Sequence, residues 1–328
     1  MAKKKAKAVS TKKKAAAPVI PPPKVAEPVK KPNGLVGFLL AAVLLVVVAE
    51  VYFITVTSIR QSKRPLYVNS WAHQYKGLTS VGEYGNFLYG IDNTRGDVYK
   101  TDKNTGVLEK ILSFSEGVNS AVADSKDDIF ILTKDNQIFK VDGRTYKTVK
   151  KFKIGDMKEI SWMEIDSKDN LFFSSPSSGL VAKYDPDFKK LLQFGGPSED
   201  KGGISSAAKI FAGPKDDMYV MDAYKPGEIA IKIFDDNGKF IRSWPVKKIK
   251  KFDSLTNMAV AADGNVYINS YDESKIYVFG PAGKFLGSFD GDKDKRFQII
   301  YAASITGGKS GLIYVVTHQL VVFKTINY

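Results

Sequence analysis

The fold of this chain is decided by one stretch, Leu255–Phe289, which reads LTNMAVAADGNVYINSYDESKIYVFGPAGKFLGSF. It holds four short runs rich in β-branched and aromatic residues, separated by the turn-forming sequences Ala-Asp-Gly-Asn, Tyr-Asp-Glu-Ser and Pro-Ala-Gly-Lys. Such runs, bounded by Gly, Pro, Asn and Asp, are typical of antiparallel β-strands. No convincing amphipathic helical pattern occurs between residues 66 and 328. The body of the chain is therefore predicted to be all-β.

The same turn recurs along the chain, and each copy precedes a β-rich run. The clearest copies are Ser125–Asp128, Ser167–Asn170, Pro214–Asp217 and Ala262–Asn265, with looser ones at 84–86 and 307–311. Successive copies of the following strand lie about 42 to 48 residues apart. A later strand of each repeat has an aromatic residue near its end: Phe114, Phe152, Phe194, Trp244 and Phe289. Four strands in a repeat of this length are typical of a β-propeller blade.

The repeats are incomplete in a complementary way at the two ends of the body. Two of the strands occur six times, but the strand with the terminal aromatic occurs only five times. Leu66–Trp71 has the form of the missing strand, with Trp71 at the aromatic position 43 residues before Phe114. We therefore expect a six-bladed propeller over residues 66–328, in which the N-terminal strand completes the last blade and closes the ring, leaving no open sheet edge. An open solenoid is the alternative that these half-blades disfavour.

These repeats resemble NHL-type propeller repeats. The likeness is best over 255–289, weaker over 162–194 and 208–244, and weakest over 78–114 and 120–152. Lys275 stands where that family has Arg before its third strand. The resemblance implies a fold rather than a chemistry, because NHL-like propellers serve as binding scaffolds, lactonases, lyases and RNA readers.

Two segments of different composition precede the propeller. Residues 1–33 hold ten Lys and one Glu among Ala and Pro, a composition that predicts a disordered basic tail. Residues 34–59 include fifteen consecutive residues without a polar side chain and would form a helix of about 39 Å. This exceeds the roughly 30 Å hydrocarbon core of a bilayer and predicts a transmembrane signal anchor. Its marker residues are Leu35 in the span and Glu50 and Tyr52 towards the outer interface.

The Lys-rich tail predicts a cytoplasmic N-terminus and a propeller on the outer side of a cell membrane. A cleaved signal peptide is the alternative. The linker 60–65 spans at most about 20 Å, so the propeller is expected close to the bilayer. In a propeller the blade-to-blade loops and the turns between the second and third strands share one face, here called the loop face. The tether enters on the opposite face. The loop face is therefore expected to point away from the membrane.

Candidate partner-binding residues cluster on the predicted loop face. Basic residues interleaved with aromatic ones can bind an acidic partner or a polyanion. The repeat also brings two histidines into the composite last blade, where they could form a patch or act as acid and base. The candidates are Lys247, Lys248, Lys250, Lys251 and Phe252 in one cluster, Lys293, Lys295 and Arg296 in a second, and the histidines His73 and His318. They favour a protein or envelope-polymer partner; a nucleic acid is not expected.

The sequence offers little enzymatic chemistry. There is no cysteine and there are only two histidines, which excludes thiolate metal sites, a cysteine nucleophile and a His-rich metal cage. The segment Asp290–Asp294 starts like a calcium loop, but Tyr301 stands where a bidentate Glu is needed. No nucleophile elbow, P-loop or dinucleotide fingerprint occurs. The chain is therefore expected to have no cofactor and not to be an enzyme. A lactonase- or lyase-like propeller with a metal in its central channel is the first alternative, and a cytoplasm-facing RNA-binding propeller is the second.

Overall fold

The computed structural model describes residues 34–62, 67–71, 77–225, 228–247, 256–291, 298–299, 301–307 and 310–325. One helix, α1 (Gly34–Ser62), precedes the strands. Glu50 and Tyr52 are exposed on α1, and Leu35 lies in its first turn. Among the described residues, no helix combines the length and apolar character needed to cross a membrane. The predicted anchor therefore stays a prediction, and the predicted tail at 1–33 lies outside the described residues.

The strands form six antiparallel sheets of four. Blade 1 comprises β2 (Ser80–Tyr84), β3 (Phe87–Asp92), β4 (Asp97–Asp102) and β5 (Leu108–Ser113). Blade 2 comprises β6 (Val118–Ala123), β7 (Ile129–Thr133), β8 (Gln137–Val141) and β9 (Thr148–Lys153). Blade 3 comprises β10 (Trp162–Ile165), β11 (Leu171–Ser175), β12 (Leu180–Tyr184) and β13 (Lys190–Gly195).

The remaining blades follow the same order. Blade 4 comprises β14 (Ala207–Ala212), β15 (Met218–Lys225), β16 (Glu228–Phe234) and β17 (Phe240–Pro245). Blade 5 comprises β18 (Met258–Val260), β19 (Val266–Ser270), β20 (Lys275–Phe279) and β21 (Phe285–Phe289). Blade 6 comprises β22 (Ser304–Gly307), β23 (Leu312–Val316) and β24 (Leu320–Lys324), with β1 (Tyr67–Trp71) as its outermost strand. The six-bladed, all-β prediction is confirmed.

The ring closes as the half-blades predicted. β1 pairs antiparallel with β24, and Trp71 lies opposite Leu320. In four other blades the outermost aromatic occupies the equivalent place: Phe152 opposite Ile138, Phe194 opposite Val181, Trp244 opposite Ile231 and Phe289 opposite Ile276. The first strand of the propeller in chain order, β1, therefore completes the last blade.

The apolar core lies between blades rather than at the centre of the ring. In the described residues the buried side chains form six clusters, each shared by two adjacent blades. The second strands β7, β11 and β19 are buried at every position because a neighbouring blade covers each face. This explains their nearly continuous apolar sequences, whereas outermost strands such as β9 are mostly exposed.

The recurrent Ser-Lys-Asp turns form the face opposite the loop face, here called the turn face. Ser125 donates to the Asp169 carboxylate of the next blade from its backbone N (2.9 Å) and Oγ (2.7 Å). Ser167 donates to Asp216 in the same way, at 3.0 and 2.8 Å. Both aspartates have a positive φ, 66° and 60°, which Asp tolerates better than most residues. The repeated turn thus links blades 2, 3 and 4.

A second kind of contact joins the outermost aromatics of four blades to residues of the turn face in the next blade. The residue that meets each aromatic lies in the turn between the third and fourth strands and has a positive φ. In blades 1, 4 and 5 this residue is a glycine: Gly106 lies against Trp71, Gly238 against Phe194 and Gly283 against Trp244. In blade 3 it is Phe188, whose ring stacks on Phe152 at 5.1 Å. The turn face is therefore largely occupied by contacts that hold blades together.

Candidate functional site at the loop-face end of the channel

The innermost strands line the central channel, and each begins at the loop face. Short polar side chains near these starts form hydrogen bonds between blades. Ser120 Oγ donates to the Met163 carbonyl at 3.0 Å, and Asn257 Nδ2 donates to Ser304 Oγ at 3.2 Å. Ser304 Oγ also accepts from the Val81 backbone N at 3.4 Å, across the junction of blades 6 and 1. Most polar groups at this level therefore have a structural partner.

Lys209 differs from these residues. It lies near the start of β14, after a bulge between Ala207 and Lys209. Its ammonium lies 3.9 Å from the centre of the Trp162 indole ring on blade 3, a cation–π contact. Among the described residues it has no hydrogen bond and no ion pair. Burial disfavours the charged form and lowers the pKa of Lys209 to about 8.

Carboxylates in the vicinity have other partners. Asp222, at the level of Ala207 in the sheet register, is fully buried and pairs with Lys232 Nζ at 2.7 Å. It also accepts the backbone N–H groups of Ser205 and Ser206, at 3.0 and 2.8 Å. Asp222 therefore orders the loop that leads into β14 and has its own counter-ion.

The turn-face end of the channel has the opposite charge. Tyr84 donates to Glu164 Oε1 at 3.4 Å. Burial, together with the neighbouring Glu164 carboxylate, raises the pKa of the Tyr84 phenol well above its usual value. The channel cavities near this pair measure about 20 and 10 Å³ and are bordered by Phe211 and Thr306. Spaces of this size hold about one water molecule, so a larger ligand would have to bind at the mouth.

The loop face also carries an aromatic pair of one exposed and one half-buried tyrosine. Tyr271, in the turn after β19, and Tyr301, in the loop before β22, lie with ring centres 5.1 Å apart. Tyr301 is 56% exposed and has a φ of 51°, an unusual conformation for a bulky residue. Its backbone N donates to Ser274 Oγ at 3.2 Å, and Ser274 also has a positive φ. A strained loop therefore holds a large aromatic ring outwards.

The structure locates only part of the sequence-predicted site. Lys247 is exposed two residues after the end of β17. His318 is exposed in the turn between β23 and β24, and its Nε2 lies 3.1 Å from Gln319 Nε2. Both lie on the loop face, as expected. The other candidates lie outside the described residues: Lys248, Lys250, Lys251, Phe252, Lys293, Lys295, Arg296 and His73. The basic clusters and the two-histidine patch therefore stay predictions.

The central-channel metal of the enzymatic alternative gains no support from the described residues. Within them, no group of three or more His, Asp or Glu side chains is arranged to hold a metal ion. The residues that sequence reasoning missed are Lys209, Trp162 and Tyr271, with Tyr301 noticed only as a missing calcium ligand. A sequence signal existed for Lys209, because it is a charged residue within an innermost strand.

The propeller is similar to solved lyase structures. A streptogramin B lyase structure matches with a TM-score of 0.55 and 12% identity over 80% of this chain and 98% of that one. Virginiamycin B lyase from Staphylococcus aureus matches with a TM-score of 0.53 and 12% identity, over 73% of this chain and 77% of that one. Its catalytically inactive His-to-Ala variant with Quinupristin matches with a TM-score of 0.52, at the same identity and coverage.

Sequence comparison adds no relative to these structures. No family model matches the chain and no curated protein sequence is similar, so the resemblance to NHL repeats is unsupported. At 12% identity the structural likeness shows the fold alone. The expectation that the chain is not an enzyme is nevertheless contradicted, because the three solved propellers described above are lyases.

Proposed function

We propose that this propeller is a binding module that engages a protein partner through its loop face. The observation that carries the proposal is the exposed Tyr301, held outwards at a positive φ and stacked beside the half-buried Tyr271. Strained backbone persists where the surrounding structure imposes it, and it concentrates at binding and catalytic sites. Tyrosine is enriched among the residues that dominate protein interfaces, since it offers a large, rigid contact area with a polar end.

The two faces of the propeller support this choice of surface. On the turn face, the recurrent Ser and Asp side chains bind each other across blade junctions. On the loop face, Tyr301, Lys247 and His318 remain exposed. A partner that covered Tyr271 and Tyr301 would bury apolar ring surface at no cost to blade–blade contacts.

Site-specific photocrosslinking tests the proposal. A photoreactive phenylalanine analogue is placed at position 301 of the full chain in its native cells, and at position 107 as a control. Val107 is 63% exposed in a turn of the turn face. We expect a discrete protein adduct from position 301 only, and at least a tenfold weaker adduct when Tyr271→Ala is added. Equal adducts from both positions, or none from position 301, would contradict the proposal.

The location of the partner depends on a second proposal, that α1 anchors the chain and the propeller lies outside the cytoplasm. Its support is the apolar run at 35–49 behind a Lys-rich tail. Protease treatment of intact cells carrying a tag at each terminus tests it. We expect loss of the C-terminal tag and protection of the N-terminal one. Protection of both tags would place the propeller in the cytoplasm and direct the search for a partner, RNA included, to that compartment.

A lyase-like activity is the second candidate, favoured by the lyase structures that the propeller matches. Elimination needs a base, and a Lys with a pKa of about 8 can accept a proton near neutral pH. The test is incubation with quinupristin followed by chromatography and mass spectrometry, with Lys209→Met as the control. Conversion by the wild-type chain and not by the variant would support this candidate. No conversion above the buffer rate would exclude this substrate.

A further inference from the structure

We propose that the loop-face mouth of the central channel is a binding site for a carboxylate group, with Lys209 as the cation that holds it. The ligand would enter from the loop face, where a partner is proposed to bind. The site itself is defined by chemistry that neither Tyr271 nor Tyr301 supplies, so the two proposals can fail separately.

The first support is that the Lys209 ammonium has no carboxylate partner among the described residues. Lys209 is half-buried in the channel lining, and none of the described residues pairs with it. Removing an ammonium from water without a counter-ion is unfavourable. The cation–π contact with Trp162 recovers part of this free energy and still leaves the N–H donors without an oxygen acceptor. An arriving carboxylate would supply both the acceptor and the charge.

The second support is that hydrogen-bonding groups beside Lys209 also lack partners. Trp162 is only 8% exposed, and its buried Nε1–H donor has no acceptor within the described residues. Ser174 lies opposite Trp162 in the β10–β11 register, and its fully buried hydroxyl is likewise unpartnered. Buried polar groups in folded proteins are nearly always hydrogen-bonded. Their concentration at one place in blade 3 points to a site that is completed by another molecule.

The third support is that the carboxylates of Asp222 and Glu164 already have other partners and do not act as the counter-ion of Lys209. Asp222 is held by Lys232 and by two backbone N–H groups. Glu164, two residues beyond Trp162 on β10, accepts from Tyr84 and from the Ile165 backbone N. A single ammonium balances one negative charge, which favours a carboxylate over a doubly charged phosphate. The carboxylate could belong to a small molecule or to an acidic side chain of a protein partner.

NMR of ¹⁵N-tryptophan-labelled full-length protein tests the site. The chain has three tryptophans, and the Trp162 indole signal is assigned with Trp162→Phe. The protein is titrated with sodium propionate at constant ionic strength, and with propionamide as the uncharged control. We expect a saturable shift of the Trp162 signal with propionate only. The Trp71 and Trp244 signals should not move, because those residues lie on outermost strands.

Two variants separate binding from packing. Lys209→Met keeps an unbranched chain over Trp162 and removes the charge, and it should weaken propionate binding at least tenfold. Lys209→Arg keeps the charge and should retain the saturable shift. Unchanged Trp71 and Trp244 signals verify the fold of both variants. The same shift in Lys209→Met, or no saturable shift in the wild-type chain, would overturn the proposal. Lys209 would then have only a packing role against the Trp162 ring.

A short blocked peptide with one Glu, compared with its Gln analogue, distinguishes the sources of the carboxylate. Tighter binding of the Glu peptide than of propionate would assign the carboxylate to a protein partner. Equal or weaker binding would assign it to a small molecule. Neither result depends on the crosslinking at position 301, so failure of the partner proposal would leave this one standing.

Discussion

The turn face and the loop face are built from the same six blades, yet they use their polar and aromatic residues differently. On the turn face, Ser125 and Ser167 bind the carboxylates of Asp169 and Asp216 in the following blade. On the loop face, the Lys209 ammonium rests on Trp162 without an anion among the described residues. The difference indicates that the charged groups of the turn face are used to stabilise the ring, whereas the loop face, which also has bonds between blades, keeps one ammonium without an anion. Substitutions on the two faces should therefore change different measurements.

The largest effect is expected at the close contact between Gly106 and Trp71. A Cβ added to Gly106 would overlap the indole of Trp71, and the φ of Gly106 is +69°. Gly106→Ala should therefore lower the free energy of unfolding by about 2–4 kcal/mol, from backbone strain and overpacking together.

Gly311→Ala is the matched control for Gly106→Ala. Its φ is +73°, but the nearest atom to the added Cβ would be 3.8 Å away. Gly311→Ala should therefore lower the free energy of unfolding through backbone strain alone, by about 1–2 kcal/mol. Denaturant unfolding measures both variants. Equal losses would show that contact between the turn and the outermost aromatic adds nothing to stability.

A smaller effect is expected from the serine-to-aspartate links. Asp216→Ala removes the two hydrogen bonds that Ser167 donates from the preceding blade. Asp127 occupies the same turn position in blade 2, but the preceding blade has Gly85 in place of the serine, so Asp127→Ala removes no such bond and is the control. Both aspartates have a positive φ, 60° and 68°, so the backbone penalty is shared. Asp216→Ala should destabilise the propeller by about 1–2 kcal/mol more than Asp127→Ala. Thermal unfolding of the pair would refute the link if the two variants melt together.

Lys209→Met should change stability in the opposite direction. The folded-state pKa of Lys209 is about 8, below the roughly 10.4 of an unfolded chain. Below pH 8 both states hold the proton and the folded state carries the full desolvation penalty. Between pH 8 and 10 the unfolded chain binds more protons, so wild-type stability rises with pH.

The variant should accordingly be more stable than the wild type at pH 7, by about 1 kcal/mol. The advantage should diminish as pH rises towards 10, because the wild-type lysine is then neutral in the folded state. Unfolding curves collected from pH 7 to 10 provide the measurement. A gap that is constant with pH would mean that the Lys209 charge is not desolvated.

The smallest stability effect is expected on the exposed loop face. Tyr301→Asn removes an exposed ring and places at φ +51° a residue that tolerates this conformation. The free energy of unfolding should change by no more than about 0.5 kcal/mol. The partner adduct at a neighbouring loop-face position should fall sharply in the same variant. A large loss of stability would assign Tyr301 to the fold rather than to binding.

The fold could be predicted from the sequence because the same pattern of turns and strands recurs in all six blades. The recurrent turns marked the strands, and the unpaired aromatic Trp71 predicted the closure against β24. The site was less accessible to this reasoning. The position of Lys209 depends on a bulge in β14 and on a partner ring from another blade, and neither has a local sequence signal. Tyr301, which has a positive φ, likewise makes a tertiary contact with Ser274 that no local sequence pattern predicts.

The pairing of β1 with β24 also sets an order of events during synthesis. β1 leaves the ribosome before every other described strand, and its partner leaves after them. Until β24 appears, the edge of β1 has nothing to bind within the chain, and closure must join segments about 250 residues apart. Blades 1 to 5 can form in sequence as they emerge, but the ring becomes a single cooperative body only in the final step. The nascent chain therefore has an open strand edge while all the intervening blades are synthesised, and a chaperone that covers β1 would protect it for that period.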